Sequence, residues 1–151
     1  MSYTTEEGRT QILEDAAAAV EQLSIAMAAL GEAYEHLDEQ SGDRMEAELF
    51  RPLQGAYGQL KRTHSEFAQR VGLPSRDFPA APPPAPADPR ASLEHAADAI
   101  GSADEILAEL QDSLLPVEVG DQALRGGLSG TRSVIADLPY ACENFIRTLG
   151  R

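Results

Sequence analysis

The chain has 151 residues, a formal net charge of −13 at pH 7, one cysteine and no tryptophan. The single Cys142 excludes an internal disulfide, and the negative charge argues against binding to nucleic-acid phosphates or anionic membranes. No apolar run approaches the roughly eighteen residues of a membrane span, and residues 1–7 contain no signal-like segment, so we expect a cytoplasmic protein without membrane attachment.

An apolar seam runs through the first forty residues at steps of three and four, the spacing of one helix face. It consists of Leu13, Ala16, Val20, Leu23, Met27, Leu30, Tyr34 and Leu37. Small side chains flank it, so a neighbouring backbone can approach closely; they are Ala19, Ala26 and Ala33 on one side and Ala17, Ser24 and Gly31 on the other. The pattern predicts one long helix from the N-cap Thr5 to about Gln40.

The tripeptide Ser41-Gly42-Asp43 is predicted to end this helix and cap a second one. The second seam reads Phe50, Leu53, Tyr57, Leu60, His64, Phe67 and Val71. Pro52 is expected to kink this helix or to mark a late start. Residues 73–90 are rich in proline, which forbids helix and favours an extended linker. At about 3.1 Å per residue this linker can cross a whole bundle, so it leaves the topology open.

The second half of the chain repeats the first. Residues 93–100 align with residues 13–20, and residues 145–150 align with residues 67–72. The fourth seam consists of Leu124, Leu128, Thr131, Ile135, Leu138, Cys142, Phe145 and Leu149. Gly72 and Gly150 are predicted to be matched C-caps. We therefore expect an all-α fold: a four-helix bundle built from two homologous antiparallel hairpins, residues 1–72 and 91–151, joined by the proline-rich linker 73–90.

Charge is distributed unevenly along this repeat. Residues 5–40 have a net charge of −8, from nine acidic residues and one arginine, and residues 91–115 have −6, from six acidic residues. Two such helices would repel each other side by side, which favours an up-down-up-down order with these helices on the diagonal. Exchange of hairpins between two copies, giving a swapped dimer, is the alternative.

Several glycines interrupt the second and fourth predicted helices, where each costs about 1 kcal/mol relative to alanine. They are Gly55, Gly58, Gly126, Gly127 and Gly130. One interpretation is close packing against the alanine columns. The other is a loosened segment that opens for a partner.

The sequence predicts no catalytic, cofactor-binding or metal-ligating residues. A ferritin-like di-metal site needs Glu-x-x-His pairs, whereas Glu32 and His36 are four positions apart. His64 and Cys142 occupy equivalent seam positions, so they are expected to share one core layer, but two ligands are too few for a closed zinc site. No nucleophile motif or phosphate-binding glycine loop is present.

One short pattern suggests an enzyme as an alternative. Arg90 and His95 are separated by four residues at the start of a predicted helix. This resembles the Arg-x4-6-His motif of HEPN ribonucleases, which are helical bundles that commonly act as dimers. The resemblance implies that His95 is the acid or base on a 2′-hydroxyl and that Arg90 stabilises the phosphate.

Aromatic side chains in the seams either form core or line a cavity between helices; they are Tyr34, Phe50, Tyr57, Phe67 and Phe145. The proline tract either tethers two hairpins or docks in an aromatic groove of a partner.

Long seams and acidic faces favour a non-enzymatic protein that mediates protein–protein interaction or assembly, with itself or with a basic partner, in a bacterial cytoplasm. The HEPN-like ribonuclease and an acidic decoy of a nucleic-acid-binding protein are the alternatives.

Overall fold

The structure, a computed structural model, describes residues 4–149. These residues form helices and no strand, which confirms the all-helical prediction. In chain order the elements are α1 (Thr5–Tyr34), α2 (Glu39–Met45), a π-helical turn (Glu46–Phe50), α3 (Arg51–Val71), α4 (Pro89–Asp112), α5 (Leu115–Glu118), α6 (Gln122–Ile135) and α7 (Leu138–Thr148).

The first helix starts and ends at different residues from those predicted. Thr4, not Thr5, is the N-cap, since its Oγ1 accepts a hydrogen bond of 3.1 Å from the Glu7 amide. The helix ends at Tyr34 and not at Gln40. The cause lies in the residues that follow, where a second cap starts a new helix.

Asp38 is this second cap. Its backbone is extended, and its carboxylate accepts a hydrogen bond of 2.7 Å from the Ser41 amide. The residues predicted to form the turn, 41–43, therefore lie inside α2. An aspartate carboxylate satisfies the free amides of a helix start, and this local bond fixes the boundary where periodicity alone extends the first helix further.

Pro52 is accommodated by the π-helical turn. Proline has no amide to donate to the carbonyl four residues earlier, and its ring crowds that carbonyl. The Arg51 amide instead bonds to the Glu46 carbonyl, five residues back. Helix α2, the π-helical turn and α3 therefore follow one another without a break, and the predicted irregularity at Pro52 is a widened turn.

The two acidic helices α1 and α4 lie side by side, so the prediction that they lie on the diagonal is wrong. Among the described elements, α1 packs most extensively against α4. Both helices bury small side chains: Ala16, Ala19, Ala26, Ala29 and Ala33 of α1, and Ala96, Ala99 and Ala103 of α4. Burial along this length outweighs repulsion between carboxylates that mostly face water, where salt screens them.

Residues 73–88 form no regular element and return along the surface of α1. Arg76 Nη2 lies 2.6 Å from Glu21 Oε1, and the Ala81 amide donates a hydrogen bond of 2.8 Å to Ser24 Oγ. At the small residue Ser24, expected to let a neighbouring backbone approach closely, the backbone of this segment contacts α1. The chain reaches the far end of α1 before α4 begins, so α4 runs antiparallel to α1.

The fourth predicted helix is divided into α6 and α7. Pro139 stands in the first turn of α7; it has no amide to donate to the Ile135 carbonyl four residues earlier, and its ring crowds that carbonyl, so α6 ends at Ile135. Helix α6 runs antiparallel to α3, and an ion pair joins the C-terminal end of α3 to the N-terminal end of α6. Arg70 Nε and Nη2 donate to the two carboxylate oxygens of Asp121 at 2.7 and 2.9 Å.

Glycines fall into two groups at the interface of α3 and α6. A β-carbon built on Gly127 would lie 2.9 Å from Thr63 Cβ, and one on Gly130 would overlap the Gln59 amide. A β-carbon on Gly126 would meet nothing within 4 Å. Close packing therefore explains Gly127, although its neighbour is α3 and not the alanine columns. At Gly130 the neighbour is the end of the flexible Gln59 side chain, which can move aside. The predicted C-cap Gly72 has φ 71°, as expected, while Gly150 lies outside the described residues.

We predict that Gly127→Ala lowers the free energy of unfolding by about 1–3 kcal/mol, because the new methyl group displaces Thr63. The matched control, Gly126→Ala, should raise it by up to about 1 kcal/mol, because alanine favours helix and the site is open. Thermal melts followed by circular dichroism measure both. Equal stabilisation by the two substitutions would contradict the close packing of α3 and α6.

Asp15 is a partly buried carboxyl of α1 that lies near Glu109 of α4. Burial, together with Glu14 and with Glu109 of α4, raises the pKa of this carboxyl, although Gln11 donates to it. A raised folded-state pKa means that stability is lost as pH rises above the usual range of the group. We therefore expect Asp15→Asn to stabilise the protein by a few tenths of a kcal/mol at pH 7. The exposed Asp98→Asn is the control, and a similar gain there would contradict the assignment.

Candidate functional site

An open cavity of about 260 Å³ lies where α1 ends and the π-helical turn begins. Its wall is formed by Gly31, Tyr34, Glu35, Met45, Glu46 and Phe50, and we call it the aromatic groove. Three consecutive elements contribute these residues, so the groove depends on the early end of α1 and on the widened turn.

Tyr34 is the most accessible aromatic side chain of this groove. It is 46% exposed, although it belongs to the first apolar seam. Its ring lies against α2 at Gly42, where an added β-carbon would be 3.1 Å from Cε2. Gly31 leaves open space on the same side of α1, since a β-carbon there would meet nothing within 4 Å. Because neither Gly31 nor Gly42 has a side chain, the Tyr34 ring can lie against α2 and the space beside it stays open.

The π-helical turn supplies the other wall. Phe50 of this turn is half-buried and lines the groove, next to the buried Met45 at the end of α2. Such turns widen a helix by one residue and are frequent at functional sites. The groove therefore combines two aromatic rings with a methionine, a set of side chains suited to an apolar anchor.

Two carboxylate side chains, those of Glu35 and Glu46, line the groove. Residues 31–50 contain seven acidic residues and one arginine. Glu35 is exposed, and the Glu46 side chain is 45% exposed with its nearest cation, Arg51, at 3.9 Å. An apolar floor and a negative rim together favour a ligand with an apolar group next to a positive charge.

Two of the five aromatic residues considered from sequence line this cavity, namely Tyr34 and Phe50. Phe67 and Phe145 are core residues, at 0% and 2% exposure. Tyr57 is half-buried with Lys61 Nζ 4.5 Å from its ring centroid. Sequence reasoning gave no sign of the acidic rim or of the π-helical turn, because both depend on where α1 ends.

Arg90 and His95 are both exposed at the start of α4. Arg90 Nε lies 3.1 Å from Glu94 Oε1, so its charge is already paired. Arg90 also lines a shallow cavity with His36, but His95 is not among the residues of that wall. The two residues do not both line this cavity, and the ribonuclease alternative stays a prediction.

His64 and Cys142 are both buried, but they do not share a core layer. His64 follows Thr63, which faces Gly127 of α6. Cys142 lies in α7, fifteen positions after Gly127, and α7 packs mainly against α4. The reason is the antiparallel course of α3 and α6, which carries the chain away from His64 before α7 begins.

Two features are absent from the described residues, namely a cluster of metal-binding side chains and a helix that could span a membrane. Within residues 4–149, no group of three or more His, Cys, Asp or Glu side chains is placed to hold a metal ion. No helix in that range combines the length and the apolar character needed to cross a membrane. No family model matches the chain, and no curated protein or solved structure matches it.

We predict that Cys142 does not react with a thiol reagent in the folded protein at pH 8. It is 0% exposed, and burial raises the pKa of its thiol to about 11, so neither access nor thiolate is available. Ellman's reagent should detect one thiol per chain only after unfolding in guanidinium. A Cys142→Ala, Glu143→Cys variant moves the thiol to an exposed position and should react at once. Rapid reaction of the native Cys142 would contradict the prediction.

Proposed function

We propose that this protein is a non-enzymatic interaction module that binds a basic, amphipathic segment of a partner protein in the aromatic groove. One observation carries the proposal: an exposed tyrosine and a half-buried phenylalanine line an open cavity whose rim is acidic. Apolar anchors of a partner helix fit such a groove, and its lysines or arginines meet the carboxylates.

The proposal includes the finer architecture expected from the sequence. We infer that α1 with α3, and α4 with α6 and α7, are the two hairpins of a four-helix bundle, with residues 73–88 as the crossover. The packing of α1 on α3 and α4, and of α6 on α3, supports this arrangement. Homology of the two hairpins rests on the aligned seams.

The charge of the groove favours a basic partner segment over an acidic peptide, a nucleic acid or a second copy of the chain. The excess of carboxylates in residues 31–50 disfavours an acidic peptide or a nucleic acid in the groove. A second copy of the chain is a weaker fit, because its net charge of −13 opposes the rim. The proposal therefore commits to a basic partner segment in a cytoplasmic setting.

We predict that a fluorescein-labelled amphipathic helical peptide of leucine and lysine binds the full-length chain, and that Tyr34→Ser raises its Kd roughly tenfold. The reason is that an exposed aromatic anchor at the centre of an interface carries much of the binding energy. Fluorescence anisotropy at several salt concentrations measures the affinity, which should fall as salt rises.

The matched control is Tyr140→Ser, since Tyr140 is 63% exposed and outside the groove wall. A Glu35→Gln, Glu46→Gln variant should weaken binding, whereas Glu105→Gln should not. Binding of a leucine–glutamate peptide with equal affinity, or equal loss of affinity in the Tyr140 variant, would overturn the proposal. Size-exclusion chromatography with light scattering detects self-association, which would point to a second copy instead.

A further inference from the structure

Burial along residues 78–87 repeats every third residue. Phe78, Ala81, Pro84 and Ala87 are half-buried, whereas the six residues between them are exposed. A polyproline II helix has three residues per turn, so its side chains form three rows along the axis. Five of these ten residues are prolines, which favour this conformation. We call residues 78–87 the proline ridge; its inward row faces the helices and its two outward rows face water.

Three contacts hold the proline ridge against the helices, and all three come from the inward row. The ring of Phe78 packs edge-on against the histidine of α3, with centroids 5.0 Å apart. The amides of Ala81 and Ala87 donate hydrogen bonds of 2.8 and 3.4 Å to side chains of α1, those of Ser24 and Glu32. The outward rows therefore stay accessible while the segment lies on α1.

Before residue 78 the segment has a different character. Leu73 and Arg76 line an open cavity of about 190 Å³ near the start of α1, together with Leu13 and Glu14. Arg76 also forms an ion pair with Glu21. These positions carry charge and do not follow the period of three. The regular outward rows are therefore confined to the proline ridge.

Each outward row carries two prolines three positions apart. Pro79 and Pro82 stand on one row, Pro83 and Pro86 stand on the other, and all four are exposed. No residue from 78 to 87 is charged, although the whole chain has a net charge of −13. The ridge is thus a neutral and largely apolar surface on a strongly acidic protein, and it offers no ion pair to a basic or an acidic ligand.

The backbone of the ridge also offers hydrogen-bond acceptors. Within residues 4–149, no group donates a hydrogen bond to a carbonyl oxygen of residues 79–86. Polyproline II makes no internal hydrogen bonds, so these oxygens face outwards as acceptors. A tyrosine hydroxyl or a tryptophan indole can donate to them. The rings of the same residue types fit between proline rows.

We propose that the proline ridge is a docking surface for a second protein whose own groove is lined by parallel aromatic side chains, as in SH3, WW and EVH1 domains. A groove of this kind contacts two rows of a polyproline II ligand and leaves the third row outside. The third row here lies on α1, so the partner can bind without displacing the segment. Because α1 already holds the ridge in place, little conformational entropy is lost on binding.

The first test titrates the isotope-labelled full chain with purified SH3, WW and EVH1 domains and follows the amide resonances. At least one domain should bind saturably. Prolines have no amide, so the exposed Ala80 and Ala85 of the outward rows are the reporters, and the largest shifts should centre on them. Absence of binding by all three domains at up to about 1 mM, or shifts centred on another surface, would overturn the proposal.

The second test compares Pro83→Ala with Pro84→Ala. Both substitutions remove one proline from the same tract and so loosen the backbone equally, but Pro83 is on an outward row and Pro84 is on the inward row. Pro83→Ala should raise the Kd of the bound domain roughly tenfold, and Pro84→Ala should raise it less than about twofold. Equal effects would show that the domain does not distinguish the rows, which would contradict docking on the ridge.

A Ser24→Ala variant tests whether the ridge binds in place. It removes the hydroxyl that accepts from the Ala81 amide and leaves the outward rows unchanged. The domain should bind this variant no more tightly than the unsubstituted chain, because the ridge is already presented correctly. Tighter binding would show that the segment must leave α1 to be recognised, and this would overturn the proposed surface.

The ridge is separate from the aromatic groove, so its tests do not depend on the proposed function. None of residues 78–87 belongs to the wall of that groove. The leucine–lysine peptide should therefore leave the affinity for the domain unchanged, and so should Tyr34→Ser. Competition between the peptide and the domain would place the domain in the aromatic groove and would overturn the assignment to the ridge.

Discussion

Close contact between α1 and α4 is the constraint on which the rest of the fold depends. Each buried alanine contributes little alone, because apolar burial stabilises in proportion to area. Small side chains instead let α1 and α4 approach each other closely, so that larger buried neighbours such as Leu23 and Leu107 fill the space between helices. This burial extends along both helices. Carboxylates on the outer faces repel through water and salt, which weakens their effect, and the acidic character of the surface is tolerated without separating the two helices.

Other parts of the chain pack against α1 along most of its length. The two cavities lie near its ends, where different segments become its neighbours. Near its start, the chain leaving α3 contacts His64 through Phe78 and lines one cavity. At its end, α1 gives way to α2, and the groove opens beside Tyr34. Between these points the proline-rich segment lies against α1 at Ser24. One helix thus contributes to two cavities of different chemistry, one lined by Glu35 and Glu46 and the other by both Glu14 and Arg76.

Periodicity predicts the buried faces of this protein well, because a helix in a bundle must repeat its apolar side chains every three or four residues. Leu124, Leu128 and Ile135 of the fourth seam are all core residues. Helix ends are less predictable, since a single cap such as Asp38 sets them. The neighbours of α1 could not be derived from charge, because exposed charges contribute less than burial. The groove depends on both the helix ends and the neighbours of α1, so Tyr34 and Phe50 could be named from sequence as cavity candidates but not brought together.

Pro52 connects the fold with the groove through the π-helical turn. Proline at position 52 has no amide to donate to the Glu48 carbonyl four residues earlier, and its ring crowds that carbonyl. The chain before it closes a wider turn instead, through the bond from the Arg51 amide to the Glu46 carbonyl. Glu46 and Phe50, the first and last residues of this turn, both line the groove beside Tyr34. This wall of the groove therefore consists of the residues with which the chain adapts to Pro52.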